Sequence, residues 1–222
     1  MFSYVFMKIL ESRPRSYDIA IDKTSRRHVL AVKKEVAHEL AGAKHVLDIG
    51  CGTGELSRML VSQGSVVHGF DRNASMIEVA EKRIIKEHLQ NKFIAIHMGV
   101  DGMDTLQENF YDAVVSTLVF SELSEDERTY AIKHSARALK SGGIIVIADE
   151  VVPKNLIQKL IHKLIRLPIL VLTYLITRTS TTPLYDLSGE MRSAGFTIEK
   201  EAFSRGGSFA IVTGRLPERV LN

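Results

Sequence analysis

The stretch "VLDIGCGTGELS", residues 46–57, holds three glycines at alternate positions, Gly50, Gly52 and Gly54, just behind a carboxylate at Asp48. Glycines so spaced turn the backbone sharply and let a ligand approach it, because no Cβ stands in the way. A second acid, Asp71, closes the apolar run "VVHGFD", 17 residues after Gly54 and 23 after Asp48. A carboxylate placed there accepts hydrogen bonds from both hydroxyls of a ribose. Its competing role is to cap the next helix, for which Asn73 is the better placed residue. Asp48 falls inside the first strand, where a carboxylate has to be hydrogen-bonded or paired. It either orders the loop amides or meets a ligand ammonium group, and the two roles are compatible. The spacing disfavours two nucleotide chemistries. The dinucleotide pattern G-x-G-x-x-G needs a glycine where Glu55 stands, and no G-x-x-x-x-G-K-[ST] phosphate loop occurs.

Positioning these residues takes an alternation of strands and helices. Short apolar runs at 45–50, 66–71, 93–98, 111–117, 143–149, 196–203 and 208–214 read as strands. Amphipathic stretches near 28–42, 54–63, 74–89, 125–139 and 184–194 read as helices, and Ser124 with Glu127 has the spacing of a capping box. The run 143–149 is apolar up to its last residue, which suits a strand covered on both faces. The expected fold is a doubly wound α/β domain with a mostly parallel seven-stranded sheet. The short "SRGG" between the last two strands adds an antiparallel hairpin at its edge.

Composition sets the outer bounds. The chain has 222 residues, 45% hydrophobic and 25% charged, which suits one globular domain. The net charge is +3, yet residues 151–185 hold five Lys/Arg and no acid, leaving 24 basic against 26 acidic residues elsewhere. The basic character is local, which argues against a nucleic-acid binder and for one basic surface. A single cysteine, Cys51, suits a reducing cytoplasm and excludes an internal disulfide framework. The opening "MFSYVFMKILES" is interrupted by Lys8 and Glu11 and does not fit a secretory signal.

Four segments together, "VLDIGCGTGELS", "GFDRNASMIEVA", "FYDAVVSTLVFSELS" and "ARALKSGGIIVIADE", resemble the successive motifs of class I S-adenosylmethionine-dependent methyltransferases. The resemblance covers about residues 45–150, and the strands after 195 are similar to the family's closing hairpin. It implies S-adenosylmethionine as cofactor, with Gly50, Cys51, Gly52 and Gly54 flanking its methionine part and Asp71 holding its ribose. Arg72 and Met76 would lie beside ribose and adenine, and Asp101 and Gly102 near the adenine edge. Ser116, Thr117 and Leu118 would line the floor under the sulfonium. The third motif departs from the pattern, because "MGVDGMDTL" lacks the usual Gly-Asp-Ala run. More loosely, the chain is similar to the quinone-biosynthesis methyltransferases. Its front "SYVFMKILESRPRSYDIAID" and its "TTPLYDLSGEMRSAGF" resemble methyltransferases associated with corrinoid proteins.

Methyl transfer from a sulfonium is an in-line displacement at carbon, so positioning does most of the work. A base is needed only when the acceptor must lose a proton. Glu150 and Tyr17 are the candidates, with Tyr17 in an N-terminal cover segment, 1–27, that would close over the cofactor. Glu122 and His97 fall on the same side of the sheet but read as ordinary structural residues. Cys51 reads as a small residue filling a tight loop. The eight histidines form no H-E-x-x-H motif, and no metal is expected.

Residues 151–183 form an insertion. From 155 to 166, Leu156, Ile157, Leu160, Ile161, Leu164 and Ile165 fall on one helical face, with Gln158, Lys159, His162, Lys163 and Arg166 on the other. Pro168 then interrupts the helix, ahead of the uncharged "ILVLTYLI". A membrane span is disfavoured, since burying Lys159, Lys163 and Arg166 would cost roughly 8–10 kcal/mol. Three readings remain: a lid packed on the domain, a helix lying in a membrane surface, or a docking face for a protein partner through 154–178.

The reading as a whole is a methyltransferase, cytoplasmic or peripheral at the membrane, acting on a lipophilic or membrane-associated small molecule. Its alternatives are a cofactor-binding protein that docks a partner such as a corrinoid protein, and a nicotinamide-dependent dehydrogenase, which Glu55 disfavours.

Overall fold

The computed structural model describes residues 28–153, 155, 156, 159, 160, 164, 182–204 and 207–218. The expectations for Tyr17, for the cover segment 1–27, for the "SRGG" turn at 205–206 and for most of 154–178 lie outside the described residues.

The elements run α1 (His28–Glu39), β1 (His45–Ile49), α2 (Glu55–Ser62), β2 (Val66–Asp71), α3 (Ala74–Lys86), β3 (Phe93–His97) and β4 (Tyr111–Thr117). They continue with α4 (Glu125–Ala138), β5 (Leu139–Glu150), α5 (Leu187–Ser193), β6 (Thr197–Phe203) and β7 (Phe209–Arg215). The seven strands lie in the order β3-β2-β1-β4-β5-β7-β6. The first five are parallel, and β7 runs antiparallel to both β5 and β6.

Alternate residues of one strand feed two separate cores. Leu47, Val114, Ile145 and Ile147 pack with Ile132 of α4 and Met191 of α5. Val46, Val115, Val146 and Ala148 pack with Val36 of α1, Leu60 of α2 and Ile84 of α3. Helices therefore cover both faces, and the continuous apolar runs of β4 and β5 follow from that.

Two boundaries differ from the sequence reading. The strand expected to begin at 143 starts at Leu139, directly after α4, and Leu139 already pairs with Tyr111. The "KSGG" between the expected helix and strand lies instead within β5, at an irregularity: Ala113 pairs with Ile144, so the register shifts between Tyr111 and Ala113. The start of α4 has its capping box, with the Ser124 hydroxyl accepting from the Glu127 N–H and the Glu127 carboxylate accepting from the Ser124 N–H.

The order of strands reverses between β1 and β4. There the chain leaves β1 and β4 for helices on opposite faces of the sheet, α2 and α4, and a crevice lies at the carboxyl ends of the strands, the place where open α/β sheets bind ligands.

Candidate active site

The crevice is a cavity of about 490 Å³. Four stretches supply most of its lining: Gly50–Thr53 with Glu55, Phe70–Asn73 with Met76, Met98–Asp101, and Thr117–Val119 with Glu122, Leu123 and Glu127. Val29, Leu30 and Lys33 of α1 complete it. The volume lies within the range of small-ligand sites.

The glycine loop is shaped by contacts that leave no room for side chains. Gly50 adopts φ 66°, and a Cβ there would come within 2.3 Å of Val119 Cγ2, so the loops after β1 and β4 close on each other only through a glycine. Gly54 opens α2, and its Cβ would meet Ala80 of α3 at 2.8 Å. Nothing stands within 4 Å of the position a Cβ would take at Gly52, whose backbone is open toward the cavity it lines.

Asp71 ties the loop to β2. One carboxylate oxygen accepts from the Gly52 N–H at 3.0 Å and the other from the Asn73 N–H at 2.8 Å. Each oxygen keeps a lone pair for a further donor, which is what two adjacent hydroxyls require. Burial raises the Asp71 pKa while these two amides lower it. Asn73 carries the cap of α3, accepting from the Ser75 N–H at 3.0 Å.

Asp48 takes a different position. It is 1% exposed and does not line the cavity; it accepts from the Ser57 hydroxyl at 2.6 Å. Its second oxygen, Oδ1, is buried without a hydrogen-bond partner. Burial pushes its pKa up to about 6, against the Ser57 hydrogen bond and the field of Lys33. A buried acceptor left unmatched beside a glycine loop fits a cationic group of a ligand, directly or through water.

Glu55 explains its own presence at the missing third glycine. It stands in the first turn of α2, and Arg58 and Arg83 each reach it at 2.9 Å. A carboxylate at that helix start repels a pyrophosphate and so disfavours a dinucleotide.

The remaining expected residues separate into two groups. Cys51, Arg72, Met76, Asp101, Thr117 and Leu118 line the cavity, whereas Gly54, Gly102 and Ser116 do not. Ser116 is buried and donates to the Ile49 carbonyl at 3.1 Å, holding β4 to β1. Gly102 packs against Met98 instead. Burial, with Asp48 and Asp71 close by, pushes the Cys51 thiol well up, so it stays protonated and unreactive. Leu118 adopts φ 63°, a strained conformation for a branched side chain, and its N–H is held by the Ala148 carbonyl at 2.9 Å. Glu150 is half-buried outside the cavity, and His97 hydrogen-bonds to the Arg72 carbonyl at 3.1 Å.

Several lining residues escaped the sequence reading. Val29, Leu30 and Lys33 come from α1, which no motif marks. Glu122 was read as an ordinary loop acid, yet it lines the cavity and pairs with Arg72 at 3.3 Å. Glu127 also faces the cavity; its hydrogen bond from the Ser124 N–H holds its pKa low.

One further acid stands outside the cavity lining. Asp149, at the end of β5, is wholly buried; it accepts from the Ser121 N–H at 3.1 Å and the Glu150 N–H at 2.6 Å. Burial pushes its pKa up to about 6. It anchors the turn that carries Glu122 and Leu123.

Comparison with known proteins agrees with this arrangement. Residues 46–143 match the methyltransferase domain family. An uncharacterized methyltransferase of Bacillus thuringiensis is 30% identical over 126 residues, 56% of this chain and 54% of that protein. The chain thus spans about half the length of the curated relatives it matches. An O-methyltransferase family protein from Burkholderia thailandensis superposes with a TM-score of 0.70 at 17% identity, over 94% of this chain and 63% of that one. A SAM-dependent methyltransferase from Methanosarcina mazei gives 0.65 at 21% identity, over 83% and 98%. With the glycine loop, the Asp71 anchor and the strand order already in place, these matches show that residues 46–143 form a methyltransferase domain.

Proposed function

We propose that the protein transfers a methyl group from S-adenosylmethionine to a lipophilic small molecule. The observation that carries the acceptor class is the group of apolar side chains on the β4 and α1 side of the cavity: Leu118, Val119 and Leu123 after β4 and Val29 and Leu30 of α1, set among Thr117, Glu122, Glu127 and Lys33. Apolar walls favour an apolar acceptor by excluding water from the reacting atoms.

The residues present fit the cofactor: Asp71 for the ribose, the unmatched Asp48 Oδ1 toward the ammonium, and the open face of Gly52 along the amino-acid part. S-Adenosylmethionine, when bound, supplies an electrophilic methyl on a cationic sulfur. The chain's own part is positioning. The close approach of Gly50 to Val119 and the hydrogen bond from the Leu118 N–H to the Ala148 carbonyl of β5 fix the two loops that would hold donor and acceptor together. The acids that line the cavity are mostly committed: Glu55 to two arginines, Asp71 to two amides, Glu127 to the Ser124 amide. Glu122, paired with the exposed Arg72, is the carboxylate best placed to accept a proton should the acceptor carry one.

The test uses methyl-labelled S-adenosylmethionine, the purified protein and extract from its source, with label then partitioned between organic solvent and precipitated protein. Label in the solvent phase supports a lipophilic acceptor. Label retained on protein contradicts it and points to a macromolecular acceptor, a corrinoid protein among them.

A further inference from the structure

We propose that the excursion between β5 and α5 docks the enzyme on an anionic lipid bilayer. This rests on the lipophilic-acceptor reading and names where that acceptor is met. The described residues 156, 159, 160 and 164 are helical, and the Lys159 N–H bonds to the Asn155 carbonyl at 2.8 Å. Leu156, Leu160 and Leu164 are 80%, 61% and 66% exposed. Their spacing of four in the sequence is that of neighbours on one helix face. A lid packed on the domain would have buried these three leucines; here they are turned to solvent.

Charge selects the occupant. Between 151 and 185 the sequence has five Lys/Arg and no acid, although the rest of the chain has more acids than bases. Exposed leucines bordered by lysines, with no acid among them, complement an acyl boundary below anionic headgroups. No described helix is long and apolar enough to cross a membrane, and Lys159, Lys163 and Arg166 interrupt the apolar run in the sequence, which suits contact with the surface. Tyr185, 80% exposed at the foot of the excursion, is of the type that settles at such an interface.

The excursion is rooted beside the cavity. Val151 pairs with Leu184, and the Thr182 N–H bonds to the Ser121 carbonyl at 2.9 Å. Ser121 precedes Glu122 and Leu123, which line the cavity. The excursion that carries the leucines is thus tied at its end to the segment that lines the acceptor side of the cavity.

The experiment is co-sedimentation of the full chain with phosphatidylcholine vesicles, with and without phosphatidylglycerol, at low and high salt. The expected result is binding to the anionic vesicles that weakens at least about tenfold without phosphatidylglycerol or in high salt. Replacing Leu160→Ser and Leu164→Ser together should weaken it by roughly a hundredfold. Ile94→Ser, which removes another exposed apolar side chain on the edge strand β3, should leave it unchanged. Unchanged affinity for S-adenosylhomocysteine verifies that each variant is folded. Wild-type protein that ignores anionic vesicles, or a double leucine variant that sediments like wild type, overturns the docking. In either case extractable methylated product would still uphold the lipophilic acceptor, whereas vesicle binding with label only on protein would uphold the docking and remove that acceptor.

Discussion

Two loops meet at the switch point, and they are held in place by different means. The loop after β1 is fixed locally: glycines that fit only the observed turns, and Asp71 gripping the Gly52 amide from the neighbouring strand. The loop after β4 is fixed from a distance. Asp149, 28 residues later, holds the Ser121 amide, and the Ala148 carbonyl holds the strained Leu118. In the proposed reaction the first loop faces the cofactor, whose shape is fixed, and the second faces the variable acceptor. Separating the two supports lets one domain keep its donor chemistry while its acceptor side changes.

The comparison breaks most visibly at Asp71. Asp71→Ala removes the tie to Gly52 and, in the proposed placement, the acceptor for two ribose hydroxyls, so S-adenosylhomocysteine should bind at least about a hundredfold more weakly by calorimetry. Circular dichroism should show the fold retained. Affinity within a few fold of wild type would take Asp71 out of the site.

Asp149→Asn probes the other support. The amide can accept from only one of the two N–H groups and presents a donor to the other, a cost of roughly 1–3 kcal/mol. The expected outcome is a Tm lower by about 5 °C and methyl transfer slowed about tenfold, with cofactor affinity changed less than about threefold. Equal losses of cofactor affinity and turnover would show that the two loops are not independently held.

The smallest effect concerns the pH dependence of stability. Asp48 rises from 3.8 to about 6 in the folded protein, so between those values the folded chain holds a proton that the unfolded chain has released. Stability from this group is therefore present at low pH, declines as pH rises through that window, and is level above it. Asn at 48 does not titrate. The Tm of Asp48→Asn minus that of wild type should rise by several degrees from about pH 4.5 to about pH 7. A difference that stays flat would mean that Asp48 ionises normally despite its burial.

How far the sequence could be read follows the same division. The glycine loop, Asp71 and the cap at Asn73 obey rules that span a few residues, and their spacing announced them. The sheet followed from apolar runs that serve two cores at once, as Val114 and Val115 do. Glu122 and Asp149 gave no such signal, because their roles come from pairings 50 and 28 residues away in the chain. Lys33 and Val29 reach the cavity from a helix with no motif, and only the folded chain brings them there. The leucines at 156, 160 and 164 showed helical periodicity but not which way they face, since a packed lid and an interfacial helix share one pattern.

The most direct test of the site is hydrogen–deuterium exchange of the full chain with and without S-adenosylhomocysteine. Protection at 50–55, 70–76, 98–101 and 117–119, with none at 155–164, is the result expected of a cofactor seated between the two loops. Absence of protection around Gly52 and Asp71, or protection there by NAD and not by S-adenosylhomocysteine, would contradict the assignment of this cavity to the methyl donor.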